Sequence, residues 1–186
     1  MIKRTGRISS LKYIYHCFIS ASVILILCAC PFSSSYKLDE EASVPIDESL
    51  LGKWATMVQY SPGYFVPIKM ILSKKTDTEY NMALTGDLRN LRPFGIVKED
   101  TISASAFMST VFNRQFLNIE IKGQVYLSLV KYSNDTLSLL PLADGFTARY
   151  IKSDSQLKKA VEVHVRNWEF PRIDEQFSLN NMVRVN

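Results

Sequence analysis

From Leu51 onward apolar residues recur with a period of two, and turn formers interrupt them about every ten residues. A period of two puts alternate side chains on opposite faces of a strand. A chain patterned this way buries sheet faces, so its fold class is mainly β. Trp54, Thr56, Val58 and Tyr60 share one face of a first strand, ended by Ser61-Pro62-Gly63. Val66, Ile68, Met70 and Leu72 form a second, and Tyr80, Met82 and Leu84 a third. Gly86-Asp87 then turns the chain into a longer loop, residues 87–95, carrying Arg89, Arg92, Pro93 and Phe94. Ile102, Ala104, Ala106 and Met108 mark a fourth strand, and Leu117, Ile119 and Ile121 a fifth. Lys122-Gly123 suits a tight hairpin. Val125 to Tyr132 is apolar on both faces, which predicts a covered strand. Asn134-Asp135 leads into Leu137 and Leu139, and Phe146 to Ile151 reads as the eighth strand.

Eight short strands joined by hairpin-length connections predict an antiparallel meander. Left open, it would expose two edges, and closure into a barrel removes both. One helix is expected at about 154–168. Leu157, Ala160, Val161, His164, Val165 and Trp168 fall on a single helical stripe. Ser153 and Gln156 have capping-box spacing, and Pro171 ends the helix. The stripe must be buried, most simply against the outside of the barrel. Phe177 to Val185 is read as a short final strand.

Gly52-Lys53-Trp54, at the head of the first strand, resembles the Gly-x-Trp signature of lipocalins and their relatives. The strand run, the single helix and the closing segment are similar too, over residues 50–186. The resemblance implies that Trp54 closes the barrel floor against an arginine near the end of the last barrel strand. Arg149 holds the matching place and Arg184 stands second. Another β-sandwich or meander, with Trp54 as an ordinary core aromatic, remains the other reading.

The first 29 residues differ in kind. They carry Lys3, Arg4, Arg7 and Lys12 without an acid, and residues 17–29 are uncharged. This is the pattern of a secretory signal peptide. The uncharged core would span roughly 20 Å as a helix, short of a bilayer core of about 30 Å. Leu27-Cys28-Ala29-Cys30 resembles the lipobox of bacterial lipoproteins, although Cys28 stands where that family prefers Ala, Ser, Thr or Val. The resemblance implies that residues 1–29 are removed and that Cys30 is acylated, which anchors the protein to a membrane. Pro31, where that family's inner-membrane proteins carry Asp, implies the outer membrane. Residues 31–48, rich in Ser, Pro and acid, read as a flexible linker between the lipidated Cys30 and a domain over 49–186. The three cysteines are Cys17, Cys28 and Cys30, so the exported domain has none for a disulfide, nucleophile or metal site.

Charge excludes one function class. Of 22 Lys and Arg, four lie in the leader, which leaves 18 against 18 Asp and Glu. Such a balanced domain is not expected to bind nucleic acid. Catalytic machinery is sparse. His16 lies in the leader, and His164 sits on the helix stripe as a packing histidine. There is no Gly-x-Ser-x-Gly elbow and no phosphate-cradling glycine loop. Asp87, Glu99, Asp100, Glu120, Asp135 and Asp144 fall mainly at turns or on polar strand faces. No enzyme activity, metal or cofactor is expected, and no ligand-binding residue can be named. Two functions remain open: a barrel that holds a small apolar ligand, or a filled barrel that binds an envelope protein through its surface.

Overall fold

The computed structural model describes residues 31–88, 101–147, 150–167 and 172–185. Among the described residues the strands are β1 (Ser33–Ser34), β2 (Gly52–Ser61), β3 (Tyr64–Lys74), β4 (Glu79–Gly86), β5 (Thr101–Val111), β6 (Arg114–Ile121), β7 (Gln124–Ser133), β8 (Thr136–Pro141) and β9 (Leu179–Val185). Helix α1 (Asp154–Asn167) lies between β8 and β9. Strands β2 to β8 pair with their sequence neighbours, and β9 pairs with both β8 and β2. The result is a closed, antiparallel, eight-stranded barrel. The extra strand β1 adds to the start of β7.

Local chemistry explains the hairpins. Lys122 and Gly123 both have positive φ, as do Asn134 and Asp135. Two such residues in a two-residue loop match the right-handed twist of the flanking strands. Inside the barrel the alternation holds: Val66, Ile68, Met70 and Leu72 of β3 all join the interior core, as do Tyr80, Met82 and Leu84 of β4. Each such side chain contributes roughly 1.5–3 kcal/mol when fully buried.

A second core lies outside the barrel. Leu157, Ala160, Val161 and Val165 of α1 pack with Val111, Phe116, Leu127 and Leu140. This explains why β7 is apolar on both faces: Val130 points into the barrel, while Val125, Leu127 and Leu129 support the outer layer. The serine half of the expected capping box forms, while the glutamine reaches one residue further back than the N-cap. Ser153 Oγ accepts from the Gln156 N–H at 3.2 Å, and Gln156 Oε1 accepts from the Lys152 N–H at 3.0 Å.

Two expectations are corrected. The eighth barrel strand is β9, after the helix; the described residues of 146–151 form no strand. Strand β9 already occupies the free edge of β8, and Phe146 instead packs in the outer core. Residues 31–48 are not a free linker but lie along the barrel. Leu38 is 1% exposed, and its N–H donates to Asn118 Oδ1 at 2.8 Å. Lys37 N–H donates to Asp154 Oδ1 at 2.7 Å, and Lys158 pairs with Asp39 at 2.6 Å. Val44 and Ile46 pack against the barrel core, and Ile46 N–H bonds the Asp77 carbonyl at 2.9 Å. The few apolar residues in this polar stretch are the ones that dock.

Candidate functional site

The two ends of the barrel differ, and the closed end is built first. A short 3-10 turn, Glu48–Leu50, precedes β2, with Asp47 accepting from the Ser49 N–H at 2.9 Å as its cap. The Asp47 N–H in turn donates to the Tyr80 hydroxyl at 2.6 Å. Burial raises the Tyr80 pKa above its ordinary value, so the hydroxyl stays protonated. Trp54 is fully buried, and its indole N–H donates to the Leu50 carbonyl at 2.9 Å. The guanidinium of Arg184, directly across the β2–β9 ladder, lies 4.5 Å from the Trp54 ring centroid. It also donates to the carbonyls of Leu51 at 2.5 Å and Ser49 at 2.6 Å. Gly52 makes room for it: φ is +136°, and a Cβ there would fall 2.5 Å from Arg184 Nη1. Gly52, Trp54 and an arginine therefore do meet, and the arginine is Arg184. Arg149 lies outside the described residues, as do the leader with Cys30, the Arg89-Arg92-Phe94 loop, Trp168, Pro171 and the side chain of Tyr60.

The opposite, open end carries two small apolar lobes of about 80 Å³ each. The first is lined by Val58, Val66, Ile68 and Leu88, with Asp87 and Gln176 at its polar edge. The second is lined by Ile102, Ile119, Tyr126, Ser128, Leu139 and Pro31. Leu84, Phe177 and Leu179 line both, and Phe177 is the largest of the three. It reaches this place from a second 3-10 turn, Glu175–Phe177. Asp174 caps that turn, with Oδ1 accepting from the Gln176 N–H at 3.0 Å. Its Oδ2 is buried without a hydrogen-bond partner, and burial raises its pKa above the ordinary carboxylate range. Burial also raises the pKa of Tyr126. Ala104 and Ala106 face the interior, but neither lines a lobe.

His164 is buried in the outer layer, where Nε2 accepts the Arg172 N–H at 2.6 Å. Its ring meets Phe146 edge-on at 5.6 Å. Burial first, and then the Arg172 charge, lower its pKa, so the imidazole is held neutral. That bond ties the segment carrying Asp174 and Phe177 back onto the helix. Among the described residues no three His, Cys, Asp or Glu gather as a metal site.

Sequence reasoning missed Phe177, Pro31 and Asp174. Asp174 precedes a short turn, a readable capping signal, but its burial is tertiary. Pro31 belongs to a segment with no periodicity, and Phe177, read as the head of the final strand, lies instead in the 3-10 turn before β9, so nothing local marked either as lining. Comparison of the chain with family models, curated proteins and solved structures found no match.

Proposed function

We propose that this chain is a lipid-anchored protein of the bacterial cell envelope, attached through Cys30 in the outer membrane, whose barrel binds a small apolar ligand without covalent chemistry. The observation that carries the binding role is the pair of apolar lobes at the open end, which share Leu84, Phe177 and Leu179. An engineered apolar cavity of about 150 Å³ accepts benzene. The two lobes, about 80 Å³ each, together match that size, and a movement of Phe177 would join them. The ligand class is therefore a single ring or a short aliphatic group, held by an almost wholly apolar wall. The Gly52-Trp54-Arg184 floor supports kinship with lipocalin-like barrels. Native mass spectrometry of residues 31–186, gently purified, tests the binding role. A discrete added mass lost on denaturation is expected, and a clean apo mass overturns the role. For the anchor, the parent chain is expected to incorporate labelled palmitate and Cys30→Ser to lose it; a Cys30→Ser chain that stays labelled overturns the assignment.

The second reading, a filled barrel that binds an envelope protein, is favoured by the lower half of the interior. Trp54, Met70, Leu137 and Met182 are fully buried there. A clean apo mass would favour this reading.

A further inference from the structure

The barrel is not closed evenly along its last seam. Among the described residues the β2–β9 ladder runs from Lys53 to Ala55, opposite Val185 to Val183, while β2 itself continues to Ser61. A bulge in β9 accounts for the early stop. Leu137 pairs with Met182 and Leu139 with Leu179, so Asn180 and Asn181 together face the single residue Ser138. Such an extra residue bends its strand and disrupts the ladder locally. Asn181 takes up the bend with φ of +49°, and its N–H donates to Ser138 Oγ at 2.9 Å. Across the seam Thr56 Oγ1 donates to the Asn180 carbonyl at 2.7 Å, a side-chain bond next to the last ladder pair.

A groove of about 510 Å³ lies where the seam parts. One bank is Met57, Gln59 and Phe65, which share a sheet face because Gln59 pairs with Phe65 across the hairpin. The other bank is the closing segment, with Ile173, Glu175 and Asn180. Val58, Gln176 and Ser178 line the groove and the first lobe alike, so the two cavities are neighbours. A second groove of about 480 Å³, at Phe112 and Arg166, shares no described lining residue with either lobe. Continuity with the lobe, rather than size or exposure, singles out the seam.

The chemistry of the seam groove is mixed. Met57 and Phe65, each about half-exposed, offer apolar surface. Gln59, Gln176 and Asn180 offer amide donors and acceptors. Among the described lining residues Glu175 is the one charge of the groove and Asp87 the one charge of the first lobe. A carboxylate head is therefore opposed by like charge, and an uncharged or ammonium head is not.

We infer that the first lobe and the seam groove form one elongated site for a straight-chain amphiphile, with its apolar end in the lobe, its chain along Met57 and Phe65, and an uncharged or cationic head at the amides. This rests on the proposed binding role and deepens it: the short aliphatic group that the lobe accepts is the end of a longer molecule.

Residues 31–186 form one compact unit that holds both cores, and they serve for the test. Chemical-shift titrations of the isotope-labelled protein give dissociation constants for 1-butanol, 1-octanol and octanoate. Each further buried methylene tightens binding roughly fourfold, so 1-octanol is expected to bind about tenfold or more tighter than 1-butanol even when its chain is partly exposed. Octanoate is expected to bind more weakly than 1-octanol. Met57→Ser and Phe65→Ser, made together at exposed positions, should erase most of the advantage of 1-octanol and leave the constant for 1-butanol unchanged. Equal constants for the two alcohols in the parent, or an advantage that survives both substitutions, overturns the elongated site and leaves the binding role standing. Octanoate bound as tightly as 1-octanol overturns the assignment of the head. Failure of every probe to bind overturns the binding role, and this site with it.

Discussion

Replacing Arg184 with methionine tests the floor of the barrel most directly. The side chain keeps its apolar stem but loses two hydrogen bonds, to the Leu51 and Ser49 carbonyls, and the guanidinium over Trp54. Hydrogen bonds to charged groups are worth about 1.5–3 kcal/mol each, and an exposed cation–π contact about 0.5–1. Arg184 is exposed, so water can reach the freed carbonyls and return part of that loss. We expect Arg184→Met to cost about 2–3 kcal/mol. At roughly 2–4 °C per kcal/mol for a domain of this size, Tm falls by roughly 4–12 °C. Arg184→Lys, which can reach one carbonyl but not both, should lose about half as much. The assay is equilibrium urea unfolding followed by far-ultraviolet circular dichroism, with a thermal melt beside it. Gly52→Ala supplies the internal check. In the parent it strains the backbone and collides with Arg184 Nη1; in the Arg184→Met background the collision is gone and only the strain remains. The two changes should therefore be non-additive by about 1 kcal/mol, the double mutant being less damaged than the sum. An Arg184→Met chain within about 0.5 kcal/mol of the parent would refute the reasoning, since surface changes without a mechanism fall in that range.

Three other expectations follow from the same geometry. Leu38→Ala should cost about 2–4 kcal/mol, as for other buried leucines, and open the 31–48 stretch to trypsin at Lys37; unchanged cleavage would mean that the stretch is not held by its docking. His164 has a lowered folded pKa, so the unfolded chain takes up a proton first. Its contribution is full above the unfolded value of about 6.5 and declines as pH falls below it. Parent Tm should drop between pH 7 and pH 5 more than that of His164→Gln, and parallel profiles would remove His164 as the cause. Phe177→Ala should join the lobes, so that larger rings appear in native mass spectra with little loss of stability; an unchanged ligand range would mean that Phe177 does not divide the site.

The strands were legible because their signal is local. Alternation decides which side chains of Val66 to Leu72 face inward without reference to any other part of the chain. The same holds for the I′-type turns at Lys122-Gly123 and Asn134-Asp135, and for the stripe and cap of the helix. The exclusion of a disulfide scaffold is a matter of counting cysteines. Closure is different. Strand β9 pairs with β2, more than a hundred residues earlier, and that competition for an edge left Phe146 to the outer core. Arg184 could be ranked only second as the partner of Trp54 for the same reason, because that partner follows from which strand closes the barrel. Residues 31–48 look like a tether by composition, since composition counts polar residues and cannot see that Phe32, Leu38, Val44 and Ile46 each find a pocket on a distant strand or helix. The site at the open end is tertiary throughout. Pro31 and Phe177 come from the two ends of the domain and meet only because β1 and β9 are both docked on the same barrel. Periodicity determined which faces could be buried, and long-range pairing decided what buried them.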